Sequence, residues 1–138
     1  MKYTRIYCDA GGESHFEDVY VEVTPVDFAP PAPPLSLAAP LEVEHAVLCE
    51  FPAQWVGDWH RAPRRQFYFQ MSGELEVQVG DGELRKFSAG SLILLDDISG
   101  KGHLTRVVGN SGVDAVFVQL SAKTGNGWVR PWSDKPWQ

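Results

Sequence analysis

The chain has 138 residues, 43% of them hydrophobic and 22% charged, enough core for one domain and too little for two ordinary ones. Eighteen acidic side chains against twelve Lys and Arg give a formal charge of −6, and the one basic cluster, Arg61, Arg64 and Arg65, is too short to track a nucleic-acid backbone. No apolar run approaches the ~20 residues of a membrane-spanning helix, the first residues lack the apolar stretch of a secretory leader, and Cys8 and Cys49 make no disulfide framework. The expectation is a cytoplasmic protein with both thiols reduced and buried, and with neither nucleic acid nor membrane as a partner.

In chain order, the first strand is expected over 16–23, where Phe16, Val19, Val21 and Val23 are interleaved with Asp18, Tyr20 and Glu22. The proline-rich run Ala29–Pro34 forces an extended backbone without a ladder, read as a surface arm rather than a ligand for an SH3 domain. Strands follow at 45–51, 66–72 and 75–79. Gly80-Asp81-Gly82 marks a hairpin into 84–87. The continuous apolar run 91–95 suits a strand covered on both faces. The last two strands are expected at 103–108 and 113–120. Beyond Ser121 the chain turns irregular yet carries Trp128, Trp132 and Trp137, too much apolar surface for water, so part of this tail should pack on the barrel or on a partner subunit. No segment holds a helical apolar period for three turns. Eight to ten evenly spaced short strands mean an all-β sandwich or barrel. Cys8 and Cys49 do not bracket a core tryptophan, which disfavours an immunoglobulin sandwich.

The block from Gly57 to Val107 resembles the cupin superfamily. In register with the closing glycine of the first cupin motif, Gly73, the family glutamate position holds Gln66 and the paired His-x-His positions hold His60 and Ala62. The second motif opens at Gly90. Its Pro-x-Gly position holds Asp96-Asp97-Ile98, its Asn falls at Val107, and its His falls at Lys101, with His103 two residues further on. The resemblance is to small, single-domain bacterial cupins. It implies one domain over 1–138: an N-terminal strand and Pro-rich arm (1–40), a barrel core (41–121) and a Trp-containing tail (122–138). It also implies a double-stranded β-helix (jelly-roll) barrel, a homodimer, and a ligand pocket inside one end.

Cupin metal sites use three His and one Glu, and period-2 alternation explains the spacing, since residues i and i+2 of a strand point the same way. Here the inward set is expected to be His60, Ala62, Gln66, Tyr68, Gln70, His103 and Thr105. Ala62 offers no donor and Gln66 a neutral amide, so the family carboxylate charge is missing unless Asp96 or Asp97 turns inward. Two functions therefore stand side by side. The first is a small-molecule-binding pocket lined by His60, Gln66, Tyr68, Gln70 and His103, with Arg64 (and Lys101) near its mouth. The second is a metal-dependent dioxygenase or isomerase, with His60, Gln66 and His103 holding Fe, Mn, Ni or Zn for a small polar or acidic substrate. A non-catalytic sensing or structural dimer is the third. Gly100-Lys101-Gly102 lacks the phosphate-loop frame, the loop from Asp97 lacks the calcium-binding glutamate at its end, and no nucleophile elbow occurs. His15 and His45 read as surface residues.

Overall fold

The structure, a computed structural model, describes residues 1–125 and 127–132. Among these residues there is no helix. The elements are β1 (Lys2–Cys8), β2 (Ser14–Tyr20), β3 (Thr24–Val26), β4 (Leu35–Leu37), β5 (Val43–Phe51), β6 (Gln66–Gln70), β7 (Glu74–Gln78), β8 (Leu84–Phe87), β9 (Leu92–Asp96), β10 (Leu104–Val108) and β11 (Val113–Leu120). A six-stranded sheet in the order β2-β1-β9-β6-β11-β5 faces a three-stranded sheet in the order β10-β7-β8, and β3 and β4 form a separate ribbon. Every pairing is antiparallel except β1 on β9. Neighbours distant in sequence and rolled into two facing sheets make this a jelly-roll barrel.

Alternation builds two apolar layers. On β6 and β9, Tyr68, Ile93 and Leu95 point between the sheets, where they join Ile6, Leu75, Val77, Phe87 and Ala115. Phe67 and Leu94 point the other way and meet Tyr3, Val21 and Leu120 on the outer face. That outer layer is closed by Trp128 of the tail, whose ring lies 4.5 Å from Phe67 and 6.1 Å from Phe69. Trp132 rests edge-on against Phe28 at 6.1 Å; Trp137 lies outside the described residues. The apolar run of β9 thus has a cover on each side, as a buried strand requires.

Four expectations change. Strand β1 was unforeseen, because Tyr3 feeds the outer layer and Ile6 the inner one, so no single apolar face is written along it. The second strand begins earlier than 16 and ends at Tyr20, with Phe16 packed on the inner cluster and Val19 on the outer one. His103 falls just before β10, where it forms an isolated bridge with His60. The barrel also draws β1 and β2 from before residue 41.

Candidate functional site

Between the sheets lies a cavity of about 360 Å³. Its walls are mainly apolar: Ile6, Val47, Phe51, Trp55, Tyr68, Leu75, Val77, Ile93, Leu95 and Phe117. Phe51 stacks edge-on to Trp55 at 5.0 Å, and Tyr68 packs on Phe117 at 5.5 Å. Into this lining come only a few polar groups, from His60, Gln66, Tyr68, His103, Thr105 and Gln119. An apolar hollow with few convergent polar groups is the usual form of a small-molecule site.

The two histidines are brought together by backbone. The His60 N–H donates to the His103 carbonyl at 3.1 Å and the His103 N–H returns the bond at 2.9 Å. Their ring centroids are 4.6 Å apart. Gly102 allows this approach: its φ is +80°, and a Cβ there would fall on the His60 carbonyl. The Ser14 hydroxyl donates to the Gly102 carbonyl at 2.7 Å and holds the loop down. Each ring is anchored at Nδ1. The His60 Nδ1–H donates to the Asp58 carbonyl at 2.8 Å, and the His103 Nδ1–H donates to Asp97 Oδ2 at 2.6 Å. A carbonyl or carboxylate only accepts, so each Nδ1 carries a proton, and in that tautomer the neutral form of either ring has its lone pair at Nε2. Neither Nε2 has a protein partner among the described residues. Asp97 is 0% exposed, and its Oδ1 has no hydrogen-bond partner among those residues.

Gln66 stands directly across from Gln119 in the β6–β11 register. Gln119 Nε2 donates to Gln66 Oε1 at 3.2 Å, and Arg64 Nη1 donates to Gln119 Oε1 at 3.2 Å. Burial drives the Tyr68 phenol well above its ordinary value, with the nearby Cys49 adding to the shift. That phenol donates to Gln70 Oε1 at 3.3 Å.

Of the residues proposed from sequence, His60, Gln66, Tyr68 and His103 share the cavity wall. Gln70 is not in that wall: its amide donates to the Gly73 and Phe87 carbonyls at 2.8 and 2.9 Å, a structural tie between hairpins. Arg64 is outside too, with its guanidinium engaged by Glu44, His45 and Gln119. Lys101 lies over the Trp59 ring at 3.9 Å. Asp96 points away from the cavity into ion pairs with Arg5 and Arg65. Asp97 approaches the site from behind His103. Sequence reasoning passed over Gln119, although Ala115, Phe117 and Gln119 continue one period-2 face into a polar residue.

The side chains present do not fit the metal of the cupin motif. Ala62 is a buried methyl where a second imidazole is wanted, and Gln66 Oε1 already accepts from Gln119. The one carboxylate at hand, Asp97, is committed to His103 Nδ1. Among the described residues no three His, Cys, Asp or Glu side chains are placed to hold an ion. An imidazole ligand brings no negative charge to offset a divalent cation.

No family model matches the sequence, and no curated protein matches it. Solved structures similar to this chain include the Cnp3 cupin domain of Schizosaccharomyces pombe, at 12% identity and TM-score 0.47 over 78% of this chain and 72% of that one. A Cupin 2 conserved barrel domain protein from Salinispora arenicola is similar at 19% identity and TM-score 0.46, over 74% of this chain and 76% of that one. A cupin domain from Bordetella pertussis is similar at 14% identity and TM-score 0.46, over 74% and 96%. Likeness at this level says nothing of chemistry.

Proposed function

We propose that this cupin-type barrel binds one small, predominantly apolar molecule, with a hydroxyl or similar donor of that molecule taken up by the Nε2 atoms of His60 and His103. The observation that supports it is the anchoring of both rings at Nδ1, with the exposed His60 and the buried His103 both lining a cavity otherwise walled by aromatic and aliphatic carbon. Acceptors in such a place are satisfied by one another, by water or by a ligand. Two lone pairs do not satisfy each other. The metal-dependent enzyme ranks second, since the donor set lacks the charge and the number of ligands that such chemistry uses.

A melting-temperature screen with small aromatic and alicyclic alcohols tests the reading. A ligand at a hundredfold excess over its Kd stabilises by about 2.7 kcal/mol, a rise of several degrees. The rise should vanish in Phe117→Trp, which fills the cavity, and shrink in His103→Phe. Silence across the whole screen would overturn the binding reading. Stoichiometric Fe, Mn, Ni or Zn in untagged protein by elemental analysis would instead favour the metalloenzyme.

A further inference from the structure

We infer that a relay from Arg64 through Gln119 to Gln66 turns the Gln66 amide so that it offers an N–H, not its oxygen, to the cavity, and so selects small molecules that carry a carbonyl acceptor beside a hydroxyl donor. The inference rests on the cavity-binding reading and adds to it the identity of the second polar group. Its logic is one of obligatory roles. A guanidinium has donors only. Arg64 Nη1 meets Gln119 at 3.2 Å, so the atom it meets is the amide oxygen. The Gln119 Nε2 is thereby aimed across the strand pair, where it lies 3.2 Å from Gln66. The atom it meets there must be Oε1, because two NH₂ groups would repel. With Oε1 engaged, the Gln66 Nε2 is what remains, and it has no protein partner among the described residues.

Three things hold the relay in place. The β6–β11 register sets Gln66 directly opposite Gln119. Gln66 is only 4% exposed, so water competes little for its amide. Arg64 Nη1 also lies 3.3 Å from the Glu44 carboxylate and 3.3 Å from His45 Nδ1, which holds that nitrogen beside Gln119. The cavity then presents two acceptors, on His60 and His103, and one donor, on Gln66. A ligand matching that code has a hydroxyl for the histidines and a carbonyl oxygen for the amide. Arg64 acts through Gln119 without touching the ligand and is a positioning residue.

Four probes with one phenyl body separate the groups: 2-hydroxy-1-phenylethanone (hydroxyl and carbonyl), 2-phenylethanol (hydroxyl alone), acetophenone (carbonyl alone) and ethylbenzene (neither). Calorimetric titration of the intact protein should show the hydroxyketone binding about tenfold tighter than 2-phenylethanol. Gln119→Glu is the decisive variant. Its carboxylate accepts from both Arg64 and Gln66, which turns the Gln66 amide and puts its oxygen toward the cavity. The carbonyl advantage, read as the ratio of the two affinities in the same variant, should then fall to parity or below. Arg64→Met, on the exposed side, should cut the advantage several-fold without loss of fold, as checked by circular dichroism. An advantage that survives both variants, or a carbonyl that adds nothing in the parent protein, overturns the relay while leaving the binding reading intact. Failure of all four probes, ethylbenzene included, overturns the binding reading and the relay with it.

Discussion

Removing the Asp97 carboxylate would leave the Nδ1–H of His103, a residue 4% exposed, without its acceptor. Asp97→Ala should therefore lower unfolding free energy by about 1–3 kcal/mol in urea titration. It should also weaken ligand binding, because the ring is free to turn its lone pair away from the cavity. The opposite sign is expected at Tyr3. Its hydroxyl is buried without a hydrogen-bond partner among the described residues, and burial raises its pKa as the leading cause. Tyr3→Phe removes that unsatisfied group and keeps the edge-on contact with Phe67 at 5.1 Å. The variant should match or exceed the parent by up to about 1 kcal/mol in the same titration. At this scale part of the site was legible in the sequence. Strand parity and motif spacing put His60, Gln66, Tyr68 and His103 on one face, because side-chain direction is fixed two residues at a time. The same parity argument put Gln70 in the cavity wall, but its amide is consumed by the Gly73 and Phe87 carbonyls. Asp97 was visible only as a loop acid, since its pairing with His103 depends on how a turn rich in positive φ folds back.

Two turns are tied together by one imidazole. His15 on β2 contacts Asp9, in the β1–β2 turn, at 2.7 Å and Asp81, in the β7–β8 turn, at 2.8 Å. The hydrogen bonds to Asp9 and then Asp81 raise the His15 pKa. The carboxyls of Asp9 and Asp81 are held below the ordinary range, the first mainly by His15 and the second mainly by the Glu83 backbone N–H. A raised histidine contributes stability that is fully present below its unfolded value, near 6.5, and is lost as pH climbs through the folded value. The lowered aspartates contribute above their unfolded value, near 3.8, and lose it on acidification. The tie is strongest between those limits. His15→Asn should thus lower the melting temperature more at about pH 5.5 than at about pH 9; an equal drop at both would show that the ion pairs add nothing. Strands of this kind were readable where alternation was clean, as in β7, or where a hairpin signal preceded them, as in β8. They were unreadable where a strand divides its apolar residues between two layers, as β1 does with Tyr3 and Ile6.

The whole molecule has a second core that a barrel alone would not need. The six-stranded sheet buries its outer face under Val21, Leu41, Ala38 and Trp128, and the inner face is left to line the cavity. Arg65 joins the two regions, since it bonds Asp96 at the end of β9 and the Thr124 and Gly125 carbonyls of the tail. Trp128→Ala should cost roughly 2 kcal/mol by stripping contacts from the buried Phe67, read as a lower urea midpoint with affinity for cavity ligands little changed. The tail's tryptophans announced such packing in the sequence, but nothing in their spacing said which face they would cover.

The parallel pairing of β1 with β9 carries a consequence for biosynthesis. Arg5 and Asp96, whose side chains meet across that strand pair, are 91 positions apart along the polypeptide. A ribosome emits the β1–β2 hairpin long before its neighbour exists, so the nascent protein leaves the exit tunnel with Ile6 uncovered and an open ladder edge. Native assembly waits for release of the later strands, and such long-range pairing is expected to make folding slow for a chain of this size.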